Sequence, residues 1–239
     1  MAEVLLLPVF LYASLCAGLP TIVWALYHLR RHQQEGGTVS AFVVSLIVSD
    51  ILELVLSPFL NTSLLERGPC SPCEVLFFSV IGARLCGLHF HQLVALEGIL
   101  CLTYPHSSSH FFHVFLPPAL SLTVWITVIS CNFFSTIGYI INVIICVVPV
   151  ILAFITSALT LRLSSSSAGL LRHKQRSFKV LVTAVFTLVF LYIPGPVIYG
   201  MDTYYVNHGS SWVTWVLVVM SLRLVTDPLL CVLVCRETL

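Results

Sequence analysis

Long apolar runs separated by short polar breaks dominate the chain. A helix needs about 20 apolar residues to cross a bilayer, and seven runs are long enough. They cover residues 4–29, 38–60, 73–104, 111–133, 136–162, 177–200 and 211–235. Strands are not expected in these runs, because an open sheet edge cannot form its hydrogen bonds in lipid. The pattern predicts an all-α fold, in which residues 1–239 form a single seven-transmembrane helix bundle.

The composition agrees with a chain that lies mostly in lipid. Hydrophobic residues make up 58% and charged residues only 9%, with a mean hydropathy of +1.02, whereas soluble domains have about 25% charged residues. The net charge of +1 comes with no basic surface able to neutralise phosphates, so nucleic acid is not an expected partner. Membrane lipids are the expected partners.

Basic residues between the runs predict the orientation of the bundle. With the N-terminus extracellular, the outer loops hold only Arg67, while the cytoplasmic segments hold most of the Lys and Arg residues, as the positive-inside rule requires. The sequon at Asn61 then falls in the first outer loop and is a candidate glycosylation site. We therefore expect a multi-pass protein of the plasma membrane.

Several ionisable residues interrupt the apolar runs, and each costs about 2.5–3.5 kcal/mol at the centre of a span. They are Asp50, Glu53, Arg84, His89, His91, Glu97, Arg223 and Asp227. Arg223 and Asp227 are one helical turn apart and can share a face. If Asp50 faces them, the three form a buried cluster. That cluster is either a polar knot that holds the helices together or an ion- or proton-coupled switch.

Arg84 has two interpretations. It can pair with Glu53, which lies one turn outward from Asp50 in the second run. Alternatively, Arg84 faces a cavity open to the outside and binds an anionic group such as a carboxylate or phosphate. His89 and His91 are two residues apart and cannot share a helix face, so they do not predict a metal pair. Neither HExxH nor GxSxG occurs, and we do not expect an enzyme.

Landmarks along the runs resemble one receptor family. Gly18 to Tyr27 (GLPTIVWALY) and Leu46 to Asp50 (LIVSD) look like its first- and second-helix motifs. The later landmarks are Cys73, Glu97, Tyr104-Pro105, Trp125, Pro149, Pro194 and Asp227 to Cys231 (DPLLC). Together they resemble the rhodopsin-like (class A) G-protein-coupled receptors, nearest the proton-sensing, purinergic and protease-activated branch.

The resemblance implies a receptor that carries an extracellular signal to a cytoplasmic G protein by rearranging its helices. The signal would be a small anionic or lipid-like ligand, or protons. The implied ligand-binding residues are Arg84, Glu53, Val80 and Tyr192. The implied polar switch is formed by Asp50, Arg223 and Asp227, with a sodium ion near Asp50 as the one candidate cofactor. The implied G-protein coupling residues are Glu97, Gly98, Tyr104 and Pro105.

The chain also departs from this family. Gly98 replaces the arginine of the inner third-helix motif, and Cys231 replaces the last tyrosine of the seventh-helix motif. The second outer loop is short, and Cys73 has no clear partner there, so Cys70 and Cys73 are the disulfide candidates. These departures support an alternative function, a non-signalling decoy or degenerate receptor. A seven-span transporter is a further alternative.

Overall fold

The fold was analysed in a computed structural model, which describes residues 2–65, 71–103, 116–134, 138–165, 171–192 and 222–235. Seven α-helices lie within these ranges. They are α1 (Ala2–Gln34), α2 (Ala41–Leu65), α3 (Ser71–Thr103), α4 (Leu116–Phe134), α5 (Gly138–Ser165), α6 (Leu171–Phe186) and α7 (Arg223–Cys235). A π-helical segment, Thr187–Tyr192, continues α6.

The prediction of an all-α fold is confirmed, since the described ranges contain helices and no strand. Some helices extend past the apolar runs. α1 continues to Gln34 and α6 begins at Leu171, because polar side chains are compatible with a helix once it has left an apolar environment. Within the described residues, one helical stretch, Ala41–Phe59, is both long and apolar enough to cross a membrane, with a mean hydropathy of 2.0.

The helices pack as a ring around α3. α1 contacts α2 and α7, α2 contacts α4, α4 contacts α5, α5 contacts α6, and α6 contacts α7. α3 touches α2, α4, α5, α6 and α7, so it lies inside this ring. Every α3 residue from Gly82 to Gln92 is accordingly buried.

Small residues let α1 and α7 approach closely. A Cβ atom added at Gly18 would lie 2.8 Å from Cβ of Leu224 on α7, so only a glycine permits this spacing without a shift. One turn along α1, the Thr21 hydroxyl lies 3.0 Å from the carbonyl oxygen of Leu224 and 2.8 Å from that of Gly18 on its own helix, so it can donate to either. The closeness of these two helices holds the start of α7 in place.

The distribution of polar and apolar side chains is the reverse of that in a soluble protein. Large apolar side chains point away from the bundle, and Phe154 and Leu161 on α5 are 72% and 70% exposed. Five charged side chains are instead fully or almost fully buried: Asp50 and Glu53 on α2, Arg84 on α3, and Arg223 and Asp227 on α7. A helix with apolar residues on every side belongs either in a large protein core or in a membrane.

Candidate functional site

The most polar part of the interior lies where α2, α3 and α7 meet. We call its six ionisable residues the polar core, and each is at most 6% exposed. The polar core consists of Asp50 and Glu53 on α2, Arg84 and His91 on α3, and Arg223 and Asp227 on α7. The sequence spacing places these residues on the inner faces: Asp50 and Glu53 are three apart, and Arg223 and Asp227 are four apart, about one turn in each case.

Glu53 bridges two arginines. Its Oε1 accepts a hydrogen bond of 2.8 Å from Nε of Arg84. Its Oε2 contacts Nε and Nη2 of Arg223. Nη1 of Arg223 also donates to the backbone carbonyl of Arg84 at 3.3 Å. One carboxylate thus connects α2 to both α3 and α7, and it neutralises part of the charge of both guanidinium groups.

Asp227 binds a histidine on α3. Nδ1 of His91 lies 2.7 Å from Oδ1 of Asp227, and both side chains are completely buried. Neither carboxylate oxygen of the buried Asp50 has a hydrogen-bond partner among the described residues. Asp50 lies 3.8 Å from Nη2 of Arg223. Asp50, Asp227 and Arg223 therefore lie together in a part of the interior that solvent does not reach.

Gly87 makes room for the arginine of α7. A Cβ atom at this position would overlap Nη1 of Arg223 and would lie 3.0 Å from the Ser49 hydroxyl oxygen. The Ser49 hydroxyl is turned back to donate to the Leu46 carbonyl oxygen at 2.7 Å. The glycine is thus the reason that a long, fully buried side chain can cross from α7 to α2 beneath α3.

The polar core has a formal charge imbalance. Three carboxylates and two guanidinium groups leave a charge of −1 when His91 is neutral. Burying an uncompensated charge is costly, so the cluster requires one more positive charge. Among the described residues, no group of three or more His, Cys, Asp or Glu side chains is arranged to hold a metal ion.

The polar core answers one question that the sequence left open. Arg84 and Glu53 do pair, and Arg223 lies within reach of Asp50. Arg223 also reaches Glu53 on α2. Val80, a predicted ligand-binding residue, lies one turn from Arg84 on the same helix and is 1% exposed.

Other predicted residues lie outside the described part of the chain. Residues Cys70, Tyr104 and Pro105 belong to ranges that the structure does not describe. The same holds for the side chains of Asn61, Cys73 and Tyr192. The disulfide, the glycosylation site and part of the predicted coupling site therefore stay predictions.

The end of α3 has a packing arrangement of its own. Ser40 begins α2 as its N-cap, since its hydroxyl oxygen accepts from the Phe42 amide at 3.2 Å. The same hydroxyl hydrogen-bonds with the Glu97 carboxylate. Beside Glu97, a Cβ atom at Gly98 would lie 2.9 Å from Cγ2 of Val234 on α7. Glu97 thus contacts α2, and Gly98 permits close contact between α3 and α7.

The sequence indicates neither the partner of His91 nor the role of Gly87. His91 is one of the ionisable residues that are expected to have a partner within a span, but the sequence does not indicate that this partner is Asp227. His89 differs from it, because its Nδ1 donates to the Leu85 carbonyl oxygen of its own helix at 2.7 Å. Nothing in the sequence around Gly87 indicates that an arginine from α7 passes there.

Comparisons with known proteins add no assignment. No known family model matches the chain, and no curated protein matches it significantly.

Proposed function

We propose that the chain is a plasma-membrane receptor of the rhodopsin-like kind, with seven membrane-spanning helices, that relays an extracellular signal to a cytoplasmic G protein. The observation that carries this proposal is the ring of helices around α3, together with a buried ionic cluster that joins α3 to α2 and α7. In this cluster Glu53 contacts two arginines and Arg223 faces two acids, so its residues can exchange partners. A ligand or proton that favours one pairing would shift the population of helix arrangements.

The outward-facing apolar side chains support the membrane location. Phe154 and Leu161 would be in contact with lipid, as would the exposed apolar residues of α1 and α2. Burying each of these large side chains away from water is worth about 1.5–3 kcal/mol. A bilayer supplies this burial for all the helices of the ring at once.

The Arg84–Glu53 pair suggests how an anionic ligand would act. A carboxylate or phosphate that reaches Arg84 competes with Glu53 for the guanidinium group. Glu53 would then be left with Arg223 alone, and the α2–α3 connection would weaken while the α2–α7 connection persists. The ligand thereby changes which helices are tied together, which is the differential interaction that an agonist requires.

The decisive experiment is to measure surface expression and constitutive activation of each G-protein class in cells expressing the chain. We expect surface expression and a basal signal that Asp227→Asn alters, because the variant removes a buried charge next to His91. Glu35→Gln, an exposed change on α1, serves as the control and should leave the signal unchanged. Surface expression without a signal in any class would overturn the proposal.

A proton signal is tested in the same cells. Activity is measured against external pH in the wild type, in Asp50→Asn and in Asp227→Asn. If neither variant shifts the pH profile, the polar core does not sense protons.

A non-signalling receptor is a second candidate function, and the packing at Gly98 favours it. In the family that the chain resembles, an arginine at this position reaches into the cleft that binds the G protein. Here the position has no side chain, and Val234 occupies the adjacent space. A chain that reaches the surface, lacks any G-protein response and alters the response of a co-expressed receptor would match this alternative.

A further inference from the structure

A cavity separate from the polar core lies between the ends of α1 and α7. Its volume is about 280 Å³. Its polar lining residues are His28, Arg31, His32 and Glu35, and its apolar lining residues are Leu29, Val232 and Cys235. In the predicted orientation this end of the bundle is cytoplasmic. The cavity is therefore at the depth of the phospholipid headgroups of the inner leaflet.

His32 is the unusual member of this lining. Its side chain is 6% exposed, and neither of its ring nitrogens has a hydrogen-bond partner. Buried polar groups nearly always have a partner. The ring is held in place by the turn that ends α1, where Gly36 adopts a φ of 88° and the Gly37 amide donates to the His32 carbonyl oxygen at 3.0 Å. The turn thus fixes a ring that lacks a partner against the cavity.

The other lining residues indicate what that partner is. Arg31 is exposed and pairs with Glu35 at 2.8 Å, an interaction that raises the pKa of Arg31. An exposed pair of this kind is weak enough to rearrange around a stronger anion. His28 adds a second imidazole to the lining. Arginine and histidine together favour a phosphate group, which accepts several charge-assisted hydrogen bonds.

The opposite wall of the cavity is apolar. Leu29, Val232 and Cys235 are at most 7% exposed and line the side towards α7. A free phosphate ion would gain nothing from this wall, whereas the glycerol and first acyl carbons of a phospholipid would. Basic pockets between helices on the cytoplasmic side are a recurrent way of holding phospholipid headgroups.

We infer that the cavity between the ends of α1 and α7 binds the phosphate group of an anionic inner-leaflet phospholipid, with His32 and Arg31 as its polar contacts. This inference depends on the membrane location that we propose, but not on signalling. A phospholipid seated there would join α1 to α7 at the end where Gly98 and Val234 already hold α3 against α7.

The test uses the full chain in nanodiscs of phosphatidylcholine, with fluorescent dioctanoyl phosphatidylglycerol as the probe. Incorporation of the chain into the discs is checked first by co-elution, so failure of the membrane location is recognised separately from failure of binding. We expect saturable binding that Arg31→Gln weakens by about fivefold. His32→Leu should weaken it as well. Arg30→Gln is the matched control, because Arg30 is exposed on the same turn but does not line the cavity.

Three results would overturn the inference. Equal weakening by Arg30→Gln and Arg31→Gln would mean that only diffuse surface charge attracts the lipid. Displacement of the probe by inorganic phosphate as effectively as by unlabelled phosphatidylglycerol would identify the ligand as free phosphate. Unchanged binding in Arg31→Gln would exclude the cavity even if His32→Leu failed to fold, since Arg31 is exposed and its replacement does not threaten folding.

Discussion

Replacing Glu53 by alanine should be among the most destabilising single substitutions in the chain. The change removes the carboxylate that Arg84 and Arg223 share, and it leaves two buried guanidinium groups without their closest counter-charge. Removing one partner of a buried ion pair costs about 3–5 kcal/mol. Arg223 keeps Asp50 at 3.8 Å, but Arg84 loses a 2.8 Å hydrogen bond, so we expect the upper half of that range.

Buried cysteines provide the assay. Cys86 and Cys231 are free thiols with no exposed surface, so a thiol-reactive fluorophore labels them only when the bundle opens, whereas the exposed Cys16 reacts beforehand and sets the baseline. The purified protein is heated in detergent micelles with such a fluorophore, and the midpoint temperature is recorded. For a chain of this size a loss of 3–5 kcal/mol lowers the midpoint by on the order of 10 °C.

Two controls separate charge burial from a general effect of mutation. Glu35→Ala removes an acid that also pairs with an arginine, but the pair is exposed and should contribute less than about 1 kcal/mol. Replacing Glu53 and Arg84 together by apolar residues of similar volume should lower the midpoint less than Glu53→Ala alone, because the double change removes both partners of one buried pair and leaves Arg223 with Asp50. If Glu53→Ala lowers the midpoint no more than Glu35→Ala does, the reasoning is wrong.

Three further predictions concern helix contacts and use the same thermal assay. Gly98→Arg should destabilise the bundle by about 1–3 kcal/mol through overpacking against Val234, and Val234→Ala in the same chain should relieve it. An unchanged midpoint in the single variant would refute the close contact. Gly87→Ala should cost a similar amount, because its methyl group displaces Arg223 from Glu53, and an additive effect with Glu53→Ala would contradict that coupling. Thr21→Val should cost about 1 kcal/mol by removing the hydrogen bond from α1 to α7, whereas no change would show that the bond contributes nothing.

The existence of the helices could be predicted from the sequence, because apolar runs of sufficient length leave few other structures. The grouping of Asp50, Arg223 and Asp227 could also be predicted, because ionisable residues within apolar runs are expected to face one another. The Arg84–Glu53 pair was one of two alternatives that the sequence allowed. In each case, the inference depended on helix periodicity and on the cost of unpaired charge, both of which are local properties of the sequence.

Which acid each arginine selects could not be predicted. Spacing places Arg223 and Asp227 one turn apart, but it does not indicate which residues of α2 and α3 each of them reaches. In the structure Arg223 reaches Glu53, and Asp227 binds His91, because the distances between helices decide the outcome. Those distances depend on small residues such as Gly87 and Gly98, whose neighbours come from a different part of the chain. The rotation of one helix against another is not encoded in the pattern of either helix alone.

The contacts of the polar core also separate the helices into a group that is linked by polar contacts and a group that is not. Its ionic contacts tie α2, α3 and α7 together, and Thr21 ties α1 to α7. α6, by contrast, ends in a π-helical segment, Thr187–Tyr192, and its polar link to α3 is the long hydrogen bond of 3.3 Å from Gln92 to the Ala184 carbonyl oxygen. Helices α1, α2, α3 and α7 should therefore move as one stiff block. Helices α4, α5 and α6 carry no residue of the polar core, so we expect each of them to move against that block without breaking one of its ion pairs.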